Sequence, residues 1–135
     1  MERVAGVARD WVGCWHPDRL SGLSDLAHVS YVHHTMTGAD VGLDGFLAGI
    51  RQVFASFPDI EYEVAHAFAD GELAAAYVLG EGTHLGAYLG VPATGMTASF
   101  RGILHCRVRD GRILEDWDVF DLLTPALRLG ATLTT

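Results

Sequence analysis

The chain contains no lysine. That absence excludes a lysine Schiff base and a lysine-based phosphate loop. Positive charge is scarce altogether: nine arginines face seventeen acids, a formal net charge of −8. Nucleic acid and anionic membrane both demand basic patches, so neither is expected as a partner. Cysteine is scarce as well. Cys14 and Cys106 are the only two, too few for a disulfide framework or a zinc-type cluster. Cys106 sits among strand residues and reads as a small core residue rather than a nucleophile. No apolar run reaches membrane-spanning length, and Met1-Glu-Arg-Val-Ala-Gly6 has no signal-peptide pattern, so a cytoplasmic location is expected. Seven histidines raise the question of metal. No two stand at i,i+4, and His33 and His34 point to opposite faces of a strand, so no metal is expected.

What is present is an ordinary globular balance, 50% apolar and 19% charged over 135 residues, which suits one domain spanning 1–135. Val4, Val7, Ala8, Trp11, Val12 and Trp15 recur at helical spacing and predict an amphipathic helix over 2–15. A short second helix is expected over 18–27, a strand over 29–34 and a loop over 38–45. Phe46, Ile50, Val53, Phe54 and Phe57 mark a third helix that stops at Phe57-Pro58.

The period then changes to two. Ile60, Tyr62, Val64, His66 and Phe68 share one face, which makes His66 a core histidine. Asp70-Gly71 is a two-residue hairpin signal that would set Phe68 opposite Leu73 and Tyr62 opposite Leu79. A glycine-rich connection runs over 80–95, starting as strand and ending as a lid-like loop. A second hairpin follows from Thr97 to Asp121, turning at Asp110-Gly111, and a short helix over 122–129 ends the pattern. Three helices followed by a strongly bent antiparallel sheet, with helices on one sheet face, is an α+β architecture. Gly80 and Gly102 suit the kinks that curl such a sheet. Its other face would be left for a second copy of the chain, so a homodimer is expected.

The segment Glu115-Asp-Trp117-Asp118-Val-Phe-Asp121 places four carboxylates among large apolar side chains. An unpaired buried carboxylate is costly or shifts its pKa upward. A strand lining a cavity, with an acid facing a bound molecule, resolves the conflict. A carboxyl in an apolar pocket is a natural general acid or base. Turning at Asp110-Gly111 would set Val108 opposite Ile113, Cys106 opposite Glu115 and Leu104 opposite Trp117 on one face. The other face would carry His105 opposite Asp116 and Ile103 opposite Asp118. A bulge between Val119 and Asp121 would bring Asp118 and Asp121 together. Asp121 could instead cap the helix that follows. Glu115 reads as an ion-pair partner of Arg101 or Arg107, and Asp116 as solvated.

The ordered pieces Tyr31-Val-His33-His34, Gly45-Phe46, Phe57-Pro58-Asp59, Gly82-Thr83-His84-Leu85-Gly86, Thr94-Gly95, Arg107 to Asp121 and Leu129-Gly130 resemble the SnoaL-like polyketide cyclase or ester cyclase family. That family belongs to the nuclear transport factor 2-like superfamily, and the resemblance covers roughly residues 2–130. It implies a cone-shaped α+β barrel with a deep pocket between the curved antiparallel sheet and three N-terminal helices. It also implies a cofactor-free enzyme of secondary metabolism, including antibiotic biosynthesis, acting on a small polyketide-like substrate. The family's acid/base is an aspartate at the end of the last strand, here Asp121. The family's histidine, three residues before the Asp-Gly turn, is replaced by Arg107, and the nearest histidine is His105. The family often keeps a histidine near the pocket mouth at the position of His34.

The candidate catalytic residues are therefore Asp121, Asp118, His105 and His34. Trp117, Tyr31, Arg107, His84, Phe54 and Trp15 are candidate substrate contacts, with Phe100 and Tyr88 as further aromatic surface. The reaction expected is an aldol-type ring closure driven by acid/base catalysis. Alternatives on the same scaffold are epoxide opening, isomerisation, or a non-catalytic dimeric binding module. Two or more convergent acid/base groups deep in the pocket favour an enzyme. An all-apolar pocket with its carboxylates tied in ion pairs favours binding.

Overall fold

A computed structural model describes residues 2–134; Met1 and Thr135, the ends of the expected domain, lie outside the described residues. The first helix, α1, spans Glu2–Gly13 and buries Val7, Ala8, Trp11 and Val12. The expected second helix is shorter: a 3-10 turn at Leu20–Gly22 runs into α2, Leu23–Leu26. Strand β1 covers Ala27–His34. The segment read as loop contains a two-residue strand β2, Asp40–Val41, and the first turn of α3, Leu43–Ser56. The sheet continues with β3 (Glu61–Asp70), β4 (Leu73–Thr83), β5 (Thr97–Arg109) and β6 (Arg112–Phe120), and α4 (Leu123–Arg128) follows.

The six strands form one sheet in the order β2-β1-β6-β5-β4-β3. The hairpins are antiparallel, but β1 lies parallel to β6, setting His33 beside Asp116 and His34 beside Trp117. The sheet is curved and unclosed, with helices against its inner face. The α+β architecture expected from the sequence, helices against one face of a curved sheet, is therefore the one observed. Trp11, Leu23, Val78, Leu104 and Ile113 are among the fully buried side chains between sheet and helices. Two glycines make the curvature usable. A Cβ on Gly102 would lie 2.5 Å from Phe120 Cγ, and one on Gly80 would lie 2.9 Å from Tyr62 Cε1. Each bare backbone position therefore seats an aromatic ring that lines the interior cavity.

Two bulges correct the facings expected from strict alternation. In the first hairpin the turn residues are Gly71 and Glu72, because Asp70 pairs with Leu73; Phe68 then faces Ala75 and Tyr62 faces Gly80. The register shifts between Val64 and His66. Beyond that point Ala67 and Ala69 turn inward, while His66 and Phe68 turn outward, Phe68 being 66% exposed. His66 is not a core histidine.

In the second hairpin the two-residue turn at Asp110-Gly111 and the Val108–Ile113 pair are as expected. Asp110 and Gly111 both take positive φ, 55° and 72°, as a tight hairpin turn requires. The register then shifts at Leu114, so that Arg107 pairs with Glu115, Cys106 with Asp116, His105 with Trp117 and Leu104 with Asp118. The extra residue reverses every facing after it. Ile113 and Asp116 both end fully buried, although they are three residues apart.

Candidate functional site

The Leu114 bulge decides which acids enter the molecule. It turns Asp116, Asp118 and Phe120 inward and sends Glu115, Trp117 and Val119 outward. A cavity of about 280 Å³ opens between the inner sheet face and α3. Its walls are mostly apolar: Trp15, Phe46, Ile50, Val53, Phe100 and Phe120. Thr35, Met36, Gly45, Gly49 and Leu122 complete the lining, and the polar groups that converge there are His33, Asp118, Tyr62 and Tyr88. A largely apolar cleft with a few placed polar groups is the usual form of a small-molecule site.

Asp118 meets this cavity from β6. Burial pushes its carboxyl up from 3.8 to about 6, the charge of His33 acting downward and that of Asp116 upward. Among the described residues it makes no side-chain hydrogen bond, which leaves its carboxylate open to a proton from a ligand. His33 reaches the cavity from β1. Its Nδ1–H donates to Asp116 Oδ1 at 2.7 Å, which leaves Nε2 as the ring nitrogen available to a ligand. Burial pushes the imidazole pKa down, but the hydrogen bond and charge of Asp116, with the charge of Asp118, outweigh it, and the net direction is upward.

Asp116 is fully buried and belongs to the support. Its Oδ1 also accepts the Tyr31 hydroxyl at 2.9 Å. A carboxylate behind an imidazole fixes the tautomer and stabilises the protonated ring. Burial and the charge of Asp116 push the Cys106 thiol up to about 12, so it stays protonated at neutral pH.

Of the site candidates and aromatic surface singled out in the sequence, Asp118, Trp15, Phe100 and Tyr88 line the cavity. Asp121 does not. It stands exposed at the end of β6 and accepts the Thr124 backbone N–H at 3.0 Å, the capping role weighed for it above. Hydrogen bonding by the Thr124 side chain and then by its backbone holds the carboxyl below the usual range. His105 and His34 are on the outer face of the sheet. They sandwich Trp117, with ring centroids 4.9 Å and 4.7 Å away. His34 also bonds Glu115 and Asp40, each at 2.8 Å. Arg107 is outside too, paired with Glu115 at 3.0 Å.

Tyr31 supports Asp116 from the core. His84 is buried behind the connecting loop, where its Nδ1 accepts the Thr94 backbone N–H at 3.2 Å. Phe54 packs in the core without lining the cavity. Asp116 is buried rather than solvated. Sequence reasoning missed His33, Asp116 and Tyr62 as parts of the site. For His33 the signal was there: neighbouring strand residues face opposite ways, so one of His33 and His34 had to face inward.

No arginine lines the cavity, so the pair of aspartates bridged by arginine that epoxide opening uses does not form there. Among the described residues, no three His, Cys, Asp or Glu side chains converge as metal ligands. No described helix is long and apolar enough to cross a membrane.

A family model described as SnoaL-like polyketide cyclase matches residues 5–129. Among solved structures, AclR of Streptomyces galilaeus, described as "a putative hydroxylase", is 25% identical with a TM-score of 0.87, covering 100% of this chain and 85% of its own. IdmH of Streptomyces antibioticus, described as "a putative polyketide cyclase", is 28% identical with a TM-score of 0.86, covering 95% of this chain and 99% of its own. TsrD of Streptomyces laurentii is 25% identical with a TM-score of 0.82, covering 97% of each chain. A search of curated proteins returns no match.

Proposed function

Because the chain belongs to the SnoaL-like polyketide cyclase family, we propose that it closes a ring in a small polyketide-like carbonyl compound by acid/base catalysis, with Asp118 as the base and His33 as the acid partner. The observation that supports this reading is the convergence of these two groups on one apolar cavity, with opposite charge preferences. A base with a pKa near 6 is ionised at neutral pH and is stronger than an ordinary carboxylate.

The carboxylate of Asp118 takes a proton from the carbon next to a substrate carbonyl. The C–H electron pair becomes the enolate, and its oxygen receives a hydrogen bond from His33 Nε2–H. The enolate carbon attacks a second carbonyl of the same molecule. A C–C bond forms, the second C=O π pair becomes an alkoxide, and that oxygen takes the proton back from Asp118. Substrate and product are isomers, so no cofactor is consumed. Asp116 and Tyr31 hold His33 in place. The cavity holds the flexible chain folded, which supplies much of the rate. The setting would be secondary metabolism in the cytoplasm.

A second copy of the chain would cover the outer sheet face, giving a homodimer. Phe68, Ile103 and Val119 are 66%, 52% and 66% exposed there, beside the His34–Trp117–His105 stack.

The half-reaction is testable without the natural substrate. The protein alone, with no metal or cofactor added, should exchange the α-protons of 1-tetralone with solvent deuterium faster than buffer does, followed by proton NMR. Asp118→Asn should slow this by ~10²–10⁴. Equal rates in the two proteins would defeat the assignment.

A further inference from the structure

Three hydroxyl groups line the cavity, those of Thr35, Tyr62 and Tyr88. Two of them are engaged within the protein. The Thr35 hydroxyl donates to the Ala39 carbonyl at 2.8 Å, and the Tyr88 hydroxyl to the Leu122 carbonyl at 3.4 Å. The Tyr62 hydroxyl has no partner among the described residues, yet it is not sealed in the core as the indole N–H of Trp15 is. Its ring is fixed. Trp15 meets it edge-on with centroids 5.3 Å apart, Phe120 does the same at 6.3 Å, and the bare backbone of Gly80 leaves the room in which it sits. An unpaired hydroxyl among apolar walls costs stability. Its presence there calls for a ligand that accepts from it.

The position of Tyr62 is a second, independent observation. His33 comes from β1 and Asp118 from the adjacent β6, whereas Tyr62 comes from β3 at the far edge of the sheet. The curl of the sheet brings all three to one cavity. In strand order the base therefore stands between two donors. Burial, then the charges of Asp118 and Tyr88, hold the Tyr62 hydroxyl above tyrosine's ordinary value, so it stays a neutral donor at neutral pH. An aldol closure develops negative charge on two oxygens in turn, the enolate's and the acceptor carbonyl's. Their carbons lie on either side of the one that loses its proton.

We propose that Tyr62 is a catalytic residue for the second of these oxygens: its O–H donates to the acceptor carbonyl while His33 holds the enolate. This role rests on the acid/base reading of the cavity. As the C–C bond forms, the C=O π pair moves onto the oxygen that Tyr62 holds. That alkoxide takes the proton carried by Asp118, and Tyr62 keeps its own.

The test separates the two halves of the reaction. Exchange of 1-tetralone involves one carbonyl, held by His33. Closure of the 1,5-diketone 2-(3-oxobutyl)cyclohexanone involves two, and proton NMR follows its product. Tyr62→Phe should lower kcat for closure by about 10²-fold or more, the usual cost of losing one oxyanion donor. Exchange of 1-tetralone should fall by less than about threefold, because that half uses no second donor. The variant should melt no lower than the wild type, since the hydroxyl makes no contact that the fold needs. Tyr77→Phe is the control: Tyr77 pairs with the exposed Ile103 on the outer face and does not line the cavity, so closure should be unchanged.

Equal closure by Tyr62→Phe and the wild type overturns the proposal. So does a Tyr62→Phe in which exchange and closure fall in the same proportion, since the hydroxyl would then serve the enolate or the fold. A wild type that exchanges 1-tetralone but closes the diketone no faster than buffer overturns it as well. A wild type that does neither defeats the acid/base reading, and this role with it.

Discussion

At the residue scale the site rests on two acids with divided roles. Asp118 faces the cavity with a raised pKa and no fixed partner, whereas Asp116 is buried behind His33 and ordered by two hydrogen bonds. The pH dependence follows from the directions of the shifts. Turnover should rise as Asp118 ionises through about pH 6. It should fall again above the raised pKa of His33, where the donor proton is lost. Asp116→Asn should move that alkaline limb to lower pH, because it removes the charge that favours the imidazolium, and draw the acid limb down as well, because the same charge helps to raise Asp118. A profile of log kcat/KM against pH checks both limbs, and an unmoved alkaline limb would take Asp116 out of the role. In the sequence the acidic cluster was legible as a cavity-lining strand, but its members could not be told apart. Asp116 and Asp118 share a face on any register, so only depth separates the supporting acid from the one that meets the cavity.

At the element scale, period, turn residues and helix stops placed the hairpins, α1 and α3 close to where they stand. The bulges were not legible. Arg112–Phe120 contains no glycine or proline to announce an extra residue, and the turn at Asp110-Gly111 fixes the register only up to Ile113. One unannounced residue at Leu114 then exchanged the inner and outer sets. Trp117, expected in the pocket, went outside with Glu115, where Glu115 meets Arg107 and His34. The same exchange identifies the fluorophore that should report a ligand. Trp15 is on the cavity wall and Trp117 is in the outer stack. Titration with 1,8-dihydroxyanthraquinone should quench the wild type and Trp117→Phe alike, and Trp15→Phe should lose most of the signal. Loss of the signal in Trp117→Phe instead would mean that β6 faces the other way.

At the scale of the whole molecule, the outer sheet face and the buried charge both bear on assembly and stability. If a second copy covers the exposed Phe68, Ile103 and Val119, light scattering should give twice the 14.6 kDa of one chain. Ile103→Arg should then lower the mass toward one chain. A wild type that stays at 14.6 kDa at micromolar concentration would contradict the dimer. The buried charge is a burden carried by the fold. The folded chain holds the Asp118 proton more tightly than an unfolded carboxyl does, about 6 against 3.8. The stability this contributes is complete below about 4 and is lost as pH rises through about 6. Asp121 has the opposite sign, because hydrogen bonding by the Thr124 side chain and backbone depresses its pKa and adds stability that is lost as pH falls.

One comparison therefore tests the central claim most directly: 1-tetralone exchange and urea unfolding at pH 8 for Asp118→Asn and Asp121→Asn. With Asp118 as the cavity's base, Asp118→Asn should lose exchange by ~10²–10⁴ and yet gain about 1–2 kcal/mol of stability, being freed of a buried charge. Asp121→Asn should keep wild-type exchange. Retained exchange in Asp118→Asn, or its loss in a folded Asp121→Asn, would contradict the account.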